Sequence, residues 1–244
     1  MEVRDARVEE ARAAMLALFP DGFEEVERDG STELVVYTDA AGEERVWHVF
    51  VAARSTDVEE GWEDRWQSFH RPVEVGRLWV GPSWERPAAG AIAVVIDPGR
   101  AFGTGAHPTT RLCLRLLQEI IPGSLLDVGC GSGVLSIAGA LLGFEPVLAV
   151  DVELAAVETT RANAAVNGVQ VDVRLVDPAD ALPPASVAVV NISLAGVASA
   201  AGRVDARTLI ASGYLAAEQP QPRGWAHADR VELDGWAADV FGRD

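Results

Sequence analysis

Apolar and polar positions alternate in blocks along the second half of the chain, and this pattern predicts a parallel α/β sheet. Short apolar runs end in polar side chains, and stretches with one apolar helical face separate the runs. Residues 124–128 form the central predicted strand, and residues 134–142 form the helix that returns across the sheet. Later predicted strands end at Asp151, Asp177 and Asn191. Because the carboxyl ends of parallel strands meet at one edge of a sheet, we expect these three side chains to lie along that edge.

Three glycines at alternate positions follow the central strand. Gly129, Gly131 and Gly133 permit a tight turn with positive φ and leave bare backbone for a ligand. Their spacing is G-x-G-x-G, whereas the dinucleotide-binding motif is G-x-G-x-x-G, so a nicotinamide dehydrogenase is disfavoured. Asp151 ends the next strand, where a carboxylate is able to accept both hydroxyls of a ribose. Together the strand, the glycine turn and Asp151 predict a ligand site at this edge.

A loop rich in Gly, Phe and Thr precedes the central strand over residues 97–110. In a doubly wound fold such a loop lies over the carboxyl edge, so we expect Phe102 to pack on a ligand or to exclude water. His107 is followed by a proline and has no evident carboxylate partner, which favours a positioning role over proton transfer. Thr109 and Thr110 are candidate caps of the helix that follows.

Residues 1–60 form a separate acidic block, with sixteen Asp and Glu against six Arg. An amphipathic helix pattern covers residues 8–19. Strands are predicted over residues 23–26, 33–38 and 45–52, with a turn at 39–42 between the last two. The block therefore predicts a small α+β domain with a binding or structural role.

Aromatic side chains mark the end of this block. Trp62, Trp66 and Phe69 recur at helical spacing, and we interpret them as rings that pack one helix onto a domain. The predicted organisation is a small domain over residues 1–57, a linker helix over 58–71 and an α/β domain over 72–244.

The composition limits the class of partner. The net charge is −17, and the chain contains Arg but no Lys. An acidic surface repels phosphate backbones, so direct nucleic-acid binding is not expected, whereas a basic protein partner is compatible with the charge. Acidity that only maintains solubility is the alternative interpretation.

The same sequence bears on the compartment. No apolar run reaches the roughly 18 residues of a membrane span, and the N-terminus is too charged for a signal peptide. The cysteines, Cys113 and Cys130, imply no disulfide framework. We therefore expect a soluble, cytoplasmic protein that does not bind membranes, and we expect it to be a monomer.

These motifs together resemble the class I S-adenosylmethionine-dependent methyltransferases and, more narrowly, the bacterial ribosomal protein L-eleven methyltransferases. The resemblance rests on the helix around Trp62 and Trp66 and on the segments RLWVGPSW, DPGRAFGTGAHPTTRLCL, DVGCGSGVLSIA and SGYL, with VD at Asp151 and NI at Asn191. It implies a Rossmann-like domain with a seven-stranded, mostly parallel sheet. It also implies S-adenosylmethionine as the cofactor. The implied substrate is ribosomal protein L-eleven, methylated at lysine side-chain amines and at its N-terminal α-amine.

The resemblance also implies the roles of individual residues. Asn191 is expected to position the amine through its side-chain oxygen, with Phe102 and Thr104 beside the reacting groups. The expected cofactor-binding residues share the predicted carboxyl edge and the loop above it: Phe102, Gly103, Thr110, Gly129, Gly131, Gly133, Asp151, Asp177 and Asn191. No metal site is expected.

The chain departs from the family pattern in its C-terminal half. Ser193 stands in the motif after Asn191, and Pro220 and Pro222 replace the helix expected after Leu215. Two other interpretations stay open. One is a methyltransferase of the same fold that acts on a different protein or on a small molecule. The other is a module that binds the cofactor or a partner without activity.

Overall fold

The structure is a computed structural model that describes residues 2–4, 11, 14–15, 18–19, 24–28, 31–36, 38, 40–50, 53–55, 71–97, 105–177 and 179–243. The chain divides into two compact units, Met1–Arg65 and Trp66–Asp244. The predicted linker helix lies outside the described residues apart from Arg71. The domain boundaries drawn from the sequence therefore stay predictions.

The N-terminal unit contains a three-stranded antiparallel sheet. Its strands are β1 (Glu2–Arg4), β2 (Glu24–Arg28) and β3 (Ser31–Val35), in the order β1-β3-β2. Of the helix predicted over residues 8–19, the described residues Ala11, Ala14, Met15 and Leu18 are helical. Ala11, Met15 and Leu34 are buried together in the small core of this unit.

The strand predicted over residues 45–52 is wrong, as is the turn at 39–42. The chain forms helix α1 (Ala40–Val49) there. The segment is rich in Val and aromatic residues, which favour strands, but β-propensity depends on packing context. Val46 and Phe50, four residues apart, both pack on the core of the unit, and this helical spacing prevails over the alternation.

A small sheet begins the described part of the second unit. Its strands are β4 (Val73–Val75), β5 (Leu78–Gly81) and β6 (Ile92–Val95), in the order β4-β5-β6. The pair β4 and β5 is antiparallel, and the pair β5 and β6 is parallel. Asn167 links this sheet to the main domain, because its side-chain amide bonds both the N–H and the C=O of Val95, at 2.8 and 2.7 Å.

The main sheet has seven strands and confirms the predicted Rossmann-like architecture. The strands are β7 (Leu125–Val128), β8 (Val147–Asp151), β9 (Asp172–Leu175), β10 (Ala185–Asn191), β11 (Ala206–Leu215), β12 (Ala226–Leu233) and β13 (Trp236–Gly242). Their order is β12-β13-β11-β10-β7-β8-β9. Every pairing is parallel except the two made by β13, so β13 alone runs against the other strands.

Four helices of this unit follow from the same alternation of strand and helix patterns. They are α2 (Pro108–Leu117), α3 (Val134–Leu141), α4 (Leu154–Val166) and α5 (Leu194–Ala201). Leu125 and Ile137 belong to the core between the sheet and helices α2 and α3. Leu126 and Val190 point to the opposite face, where they pack with Val197 of α5.

The connection between β11 and β12 contains no helix, which confirms the expectation from its prolines. Residues 216–225 form turns that cross the α5 face of the sheet. The indole Nε1 of Trp225 donates to the Ala201 carbonyl at 3.1 Å, and the Arg243 guanidinium lies 4.2 Å from the centre of the Trp225 ring. Trp225 thereby packs against the core under α5 where a helix would otherwise lie.

Candidate active site at the carboxyl edge of the sheet

A cavity of about 600 Å³ opens at the carboxyl ends of β7, β8 and β10. Five of the predicted cofactor-binding residues line it: Thr110, Gly129, Gly131, Asp151 and Asn191. Gly133 and Asp177 are not among the lining residues. Phe102, Gly103 and Thr104 lie outside the described residues, so their predicted roles stay predictions.

The glycine turn forms the floor of the cavity. Gly129, Gly131 and Gly133 have φ of 78°, 54° and 82°, the left-handed region that favours glycine. The N–H groups of Gly129 and Cys130 both donate to the Val150 carbonyl, at 2.9 and 3.1 Å, which ties the turn to the next strand. A Cβ on Gly133 would lie 2.7 Å from Thr160 Cγ2, so Gly133 permits close packing of α3 on α4 rather than contact with a ligand.

Asp151 connects the glycine turn to the next βα turn. Its carboxylate accepts the Gly131 N–H and the Glu153 N–H, both at 3.0 Å. A carboxylate has about four lone-pair sites, so two remain for the hydroxyls of a ligand. Strand β8 places this carboxylate at its last residue, as the sequence pattern predicted.

Asp127 is a buried acid directly beneath the cavity. It is 1% exposed, and the Ser136 hydroxyl donates to its Oδ2 at 2.5 Å. Burial raises the pKa of Asp127 to about 6, and the nearby charge of Asp151 acts in the same direction. Sequence reasoning used this residue only as a mark of the strand end, although its place two residues before the first glycine was a signal.

Burial also keeps the two thiols of this region protonated. It raises the pKa of Cys130, which lines the cavity, to about 12. It raises the pKa of the Cys113 thiol as well, with a further contribution from the charge of Asp127. Neither cysteine is therefore a nucleophile at neutral pH.

His107 caps helix α2 and lines the cavity. Its Nδ1 accepts the Thr109 N–H at 3.4 Å and lies 2.8 Å from Thr109 Oγ1, with Pro108 at the first helical position. The interpretation of Thr109 and Thr110 as the caps is therefore wrong. Burial lowers the pKa of His107, which favours the neutral ring. The ring also meets Trp236 edge-on, with 4.7 Å between ring centres.

Asn191 lies at the end of β10, opposite Thr110. Its Nδ2 donates to Thr110 Oγ1 at 3.4 Å. This bond uses the amide nitrogen and turns it toward α2. No described residue donates a hydrogen bond to the side-chain oxygen of Asn191, which thus remains available as an acceptor at the cavity.

Asp177 organises a turn instead of facing the cavity. Its carboxylate accepts the Ala179 N–H at 2.9 Å, as in an Asx turn. The Arg203 guanidinium donates to the carbonyls of Asp177 and Asp180 and lines the cavity from the α5 side. The sequence pattern placed Asp177 at the correct strand end, but the side chain is satisfied locally.

Sequence reasoning missed several lining residues on the second half of the sheet. Trp236, Gly213 and Ile192 belong to the wall near Asn191, and Leu182 and Arg203 belong to the opposite end. No role was assigned to Trp236 from the sequence. Its place at the cavity follows from the insertion of β13 beside β11, which no local pattern indicates.

Over the described ranges, no group of three or more His, Cys, Asp or Glu side chains is arranged to hold a metal ion. No helix within those ranges has the length and apolar character needed to cross a membrane.

Comparison with known proteins places this site in a family. The model of the family described as ribosomal protein L11 methyltransferase (PrmA) matches residues 4–237. The ribosomal protein L11 methyltransferase of Symbiobacterium thermophilum is 42% identical in an alignment 197 residues long, and the match covers 74% of this chain and 65% of that protein. The protein of the same name from Azotobacter vinelandii is 41% identical in an alignment 200 residues long, which covers 73% of this chain and 66% of that protein.

A solved structure gives the same relation. The ribosomal protein L11 methylase of Lactobacillus delbrueckii subsp. bulgaricus aligns over 72% of this chain and 100% of its own, with a TM-score of 0.64 and 26% identity. The chain matches about two thirds of the length of the curated relatives. With a family match that covers most of its length, this chain belongs to the ribosomal protein L11 methyltransferase (PrmA) family.

Proposed function

We propose that the protein is an S-adenosylmethionine-dependent methyltransferase that modifies amines of ribosomal protein L11, at lysine side chains and at the N-terminal α-amine. The observation that carries the proposal is the single cavity that joins the glycine turn and Asp151 to Asn191. One side of this cavity suits a nucleoside, and the other presents an oxygen acceptor to an amine. Family membership supports the reaction and the substrate.

The residues present fit the cofactor. A cavity of about 600 Å³ has the volume of a small-molecule site. Asp151 offers lone pairs for ribose hydroxyls, and the glycine turn allows close approach of the ligand to backbone. Val152, which follows Asp151, lines the cavity and is 56% exposed, so a flat apolar ring packed on it would remove apolar surface from water. Ala156, Val176 and Leu182 continue that apolar wall.

Placement supplies most of the catalysis in this proposal. When bound, S-adenosylmethionine provides an electrophilic methyl group on a positively charged sulfur. A lysine amine has a pKa of about 10.4, so it must lose a proton before it reacts. A largely apolar cavity disfavours the ammonium form and lowers that pKa. The side-chain oxygen of Asn191 then accepts an amine N–H and directs the lone pair.

Thr110 and His107 act on this geometry through Asn191 and α2. Thr110 Oγ1 accepts from Asn191 Nδ2, which leaves the Asn191 oxygen as the acceptor at the cavity. His107 fixes the start of α2 and so the position of Thr110. Phe102, Gly103 and Thr104 complete the proposed site from the loop before α2, with Phe102 as a wall against water.

The proposal includes the location and partners of the protein. The net charge of −17 is complementary to a basic ribosomal protein, and the acidic N-terminal block over residues 1–57 is its proposed recognition domain. We place the protein in the cytoplasm as a monomer, without direct nucleic-acid or membrane binding.

Calorimetric titration with S-adenosylmethionine and S-adenosylhomocysteine tests the cofactor part of the proposal. Wild-type protein is expected to bind both, and Asp151→Ala is expected to weaken both by at least about tenfold, as loss of a charged hydrogen-bond partner would. Asp172→Ala is the matched control, because it removes a side chain that is 54% exposed at the start of the neighbouring strand. Absence of binding by folded wild-type protein would contradict the proposal.

Mass spectrometry of ribosomal protein L11 after incubation with enzyme and cofactor tests the substrate. The chain contains no Lys, so every methyl-lysine detected comes from the substrate. Methyl groups on lysines or the α-amine are expected with wild type and strongly reduced with Asp151→Ala. Cofactor binding without any transfer to ribosomal protein L11 would show that the target is a different molecule.

A further inference from the structure

The hairpin between β12 and β13 leads directly into Trp236, which lines the cavity. Asp234 and Gly235 form the turn, with φ of 50° and 79°. Such a left-handed pair matches the twist of the two strands, and Asp, Asn and Gly tolerate it best. Among the described residues, Asp234 is the one non-glycine residue with positive φ.

Trp236 connects this turn to the cavity. It follows the turn directly, lines the cavity and meets the His107 ring edge-on at 4.7 Å. It also pairs with Leu215 in the sheet, and the Ala216 N–H donates to the Gly235 carbonyl at 2.8 Å. The tip of the hairpin is therefore held in a fixed place beside the cavity wall.

Within the part of the chain that the structure describes, the carboxylate of Asp234 has one weak partner. Arg111 Nη1 lies 3.9 Å from Asp234 Oδ2, at the outer limit of an ion pair, and the Asp234 side chain is 66% exposed. Arg111 follows Thr110, which lines the cavity. Exposed pairs at this separation contribute little to stability, so the carboxylate is able to exchange its partner.

A cation that approaches the cavity would meet both groups. The amine of the proposed substrate arrives as an ammonium, since its pKa is about 10.4. A carboxylate two residues from the cavity wall attracts this charge, and the Trp236 indole in that wall is able to add a cation–π interaction. We propose that Asp234 and Trp236 form a rim site that receives the substrate's ammonium group, with Asp234 exchanging Arg111 for the incoming cation. This inference rests on the proposed function.

The turn itself provides the variant that tests this site. Asn tolerates the left-handed conformation as Asp does, so Asp234→Asn removes the charge and preserves the turn. Asp229→Asn is the matched control, because it removes the same charge from an exposed position on β12, away from the turn. Trp236→Phe keeps an apolar ring but weakens the cation–π interaction.

For wild type and each variant, the experiment measures KM and kcat with ribosomal protein L11 as substrate. It also measures the Kd of ribosomal protein L11 in the absence of cofactor. Asp234→Asn is expected to raise KM and Kd about three- to fivefold, the effect of one charge pair near water, with kcat within about twofold of wild type. Trp236→Phe is expected to raise KM less. The Kd for S-adenosylmethionine is expected to be unchanged in Asp234→Asn and Asp229→Asn. High salt should remove the difference between wild type and Asp234→Asn, because it screens the charge.

Two results would overturn the inference in different ways. Methyl transfer with the same KM and salt dependence in Asp234→Asn and Asp229→Asn would reject the rim site and leave the proposed function intact. A wild-type protein that binds cofactor but transfers no methyl group to ribosomal protein L11 would reject the proposed substrate, and the rim site with it.

Discussion

Two regions of the main sheet bond their buried carboxylates in different ways. We call the carboxyl ends of β7 and β8 the near end, and the part formed by β11, β12 and β13 the far end. At the carboxyl ends of β7 and β8, backbone N–H groups and positive-φ glycines form the turn, and among the described residues one side chain, Ser136, donates to Asp127. At the far end, Asp239 is equally buried, at 1% exposed, but three side chains surround it. Tyr214 donates to it at 2.8 Å, Arg230 donates at 3.0 Å, and His227 Nε2 lies 2.7 Å away.

The difference follows from what each end must hold. The near end surrounds a cavity, so its backbone groups are satisfied without bulky side chains. The far end holds a connection without a helix, whose carbonyls have no helical partners. Arg230 supplies hydrogen-bond donors for two of these carbonyls, because its Nη2 donates to those of Ala216 and Glu218, at 2.6 and 3.0 Å. Burial and the neighbouring Asp239 raise the pKa of Tyr214, which keeps its hydroxyl protonated as a donor. The near end has few side-chain hydrogen bonds and leaves room for a ligand. At the far end, a network of side-chain hydrogen bonds takes the place of the missing helix.

Removal of the Asp239 carboxylate is the strongest way to break this comparison. Asp239→Ala removes the carboxylate that Arg230 and the Tyr214 hydroxyl share, so that Arg230 loses its buried counter-charge while Tyr214 retains the Ala211 carbonyl as an acceptor. Breaking a buried charge pair in this way costs about 3–5 kcal/mol. We expect urea unfolding to report a loss of stability of that size, with cofactor affinity of the folded protein within about twofold of wild type.

An exposed ion pair provides the control for that measurement. Asp172 pairs with Arg174 on β9, and both side chains are more than half exposed. Asp172→Ala is expected to change stability by less than about 1 kcal/mol. A comparably small loss in Asp239→Ala would mean that the network does not hold the far end. A large loss of cofactor affinity would mean that the two ends are coupled.

The near end was the part that the sequence could predict. The G-x-G-x-G spacing after an apolar run is a local signal, and the structure confirms positive φ at Gly129, Gly131 and Gly133. Asp151 was equally accessible, because it ends the next strand of a regular pattern. A strand end does not fix the direction of a side chain, however, and Asp177 bonds within its own turn instead of lining the cavity.

The far end depends on contacts between distant positions. The missing helix was predicted, since prolines are a local feature of the sequence. The network around Asp239 was not, because Tyr214, Arg230 and Asp239 meet only once β13 is inserted between β11 and β12. The same insertion brings Trp236 to the cavity. In the N-terminal unit, Val46 and Phe50 packed as a helix although their segment favours a strand, so tertiary packing decided that element.

The pH dependence of stability tests the buried acid of the near end, Asp127, with an intermediate expected effect. Burial raises the pKa of Asp127 from 3.8 to about 6. Between those values the folded state binds more protons than the unfolded chain, so the contribution of Asp127 to the free energy of unfolding falls as pH rises from about 4 to above 6. The fall is on the order of 2–3 kcal/mol.

Asp127→Asn is expected to lack this decrease while it keeps the Ser136 hydrogen bond through its amide oxygen. Urea unfolding at acidic and neutral pH, for wild type and variant, measures the difference directly. Asp172→Asn serves as the exposed control and should follow the wild-type profile. Parallel profiles for wild type and Asp127→Asn would show that ionisation of Asp127 costs no stability, which would contradict its raised pKa.

The smallest effect on stability is expected at the glycine turn of the near end. There the affinity for S-adenosylmethionine separates the variants better than stability does. Gly129 and Gly168 have φ of 78° and 65°, so an Ala at either position carries about 1–2 kcal/mol of backbone strain. A Cβ on Gly168 meets nothing within 4 Å, whereas a Cβ on Gly129 would lie 2.5 Å from Ile192 Cγ2. Ile192 lines the cavity and must move if Gly129 is replaced.

Gly168→Ala is therefore expected to lose only the stability that the backbone strain costs, whereas Gly129→Ala must also displace Ile192 and is expected to lose more in urea unfolding. Only Gly129→Ala is expected to weaken S-adenosylmethionine binding, by about tenfold, a change of about 1.4 kcal/mol. Calorimetric titration of both variants at one pH makes the comparison. Because both substitutions carry the same backbone strain, a loss of affinity in Gly129→Ala alone assigns the effect to the space above the turn. Equal affinities would mean that Ile192 rotates away from the ligand. The near end would then tolerate a side chain at position 129, and only its backbone shape would be required.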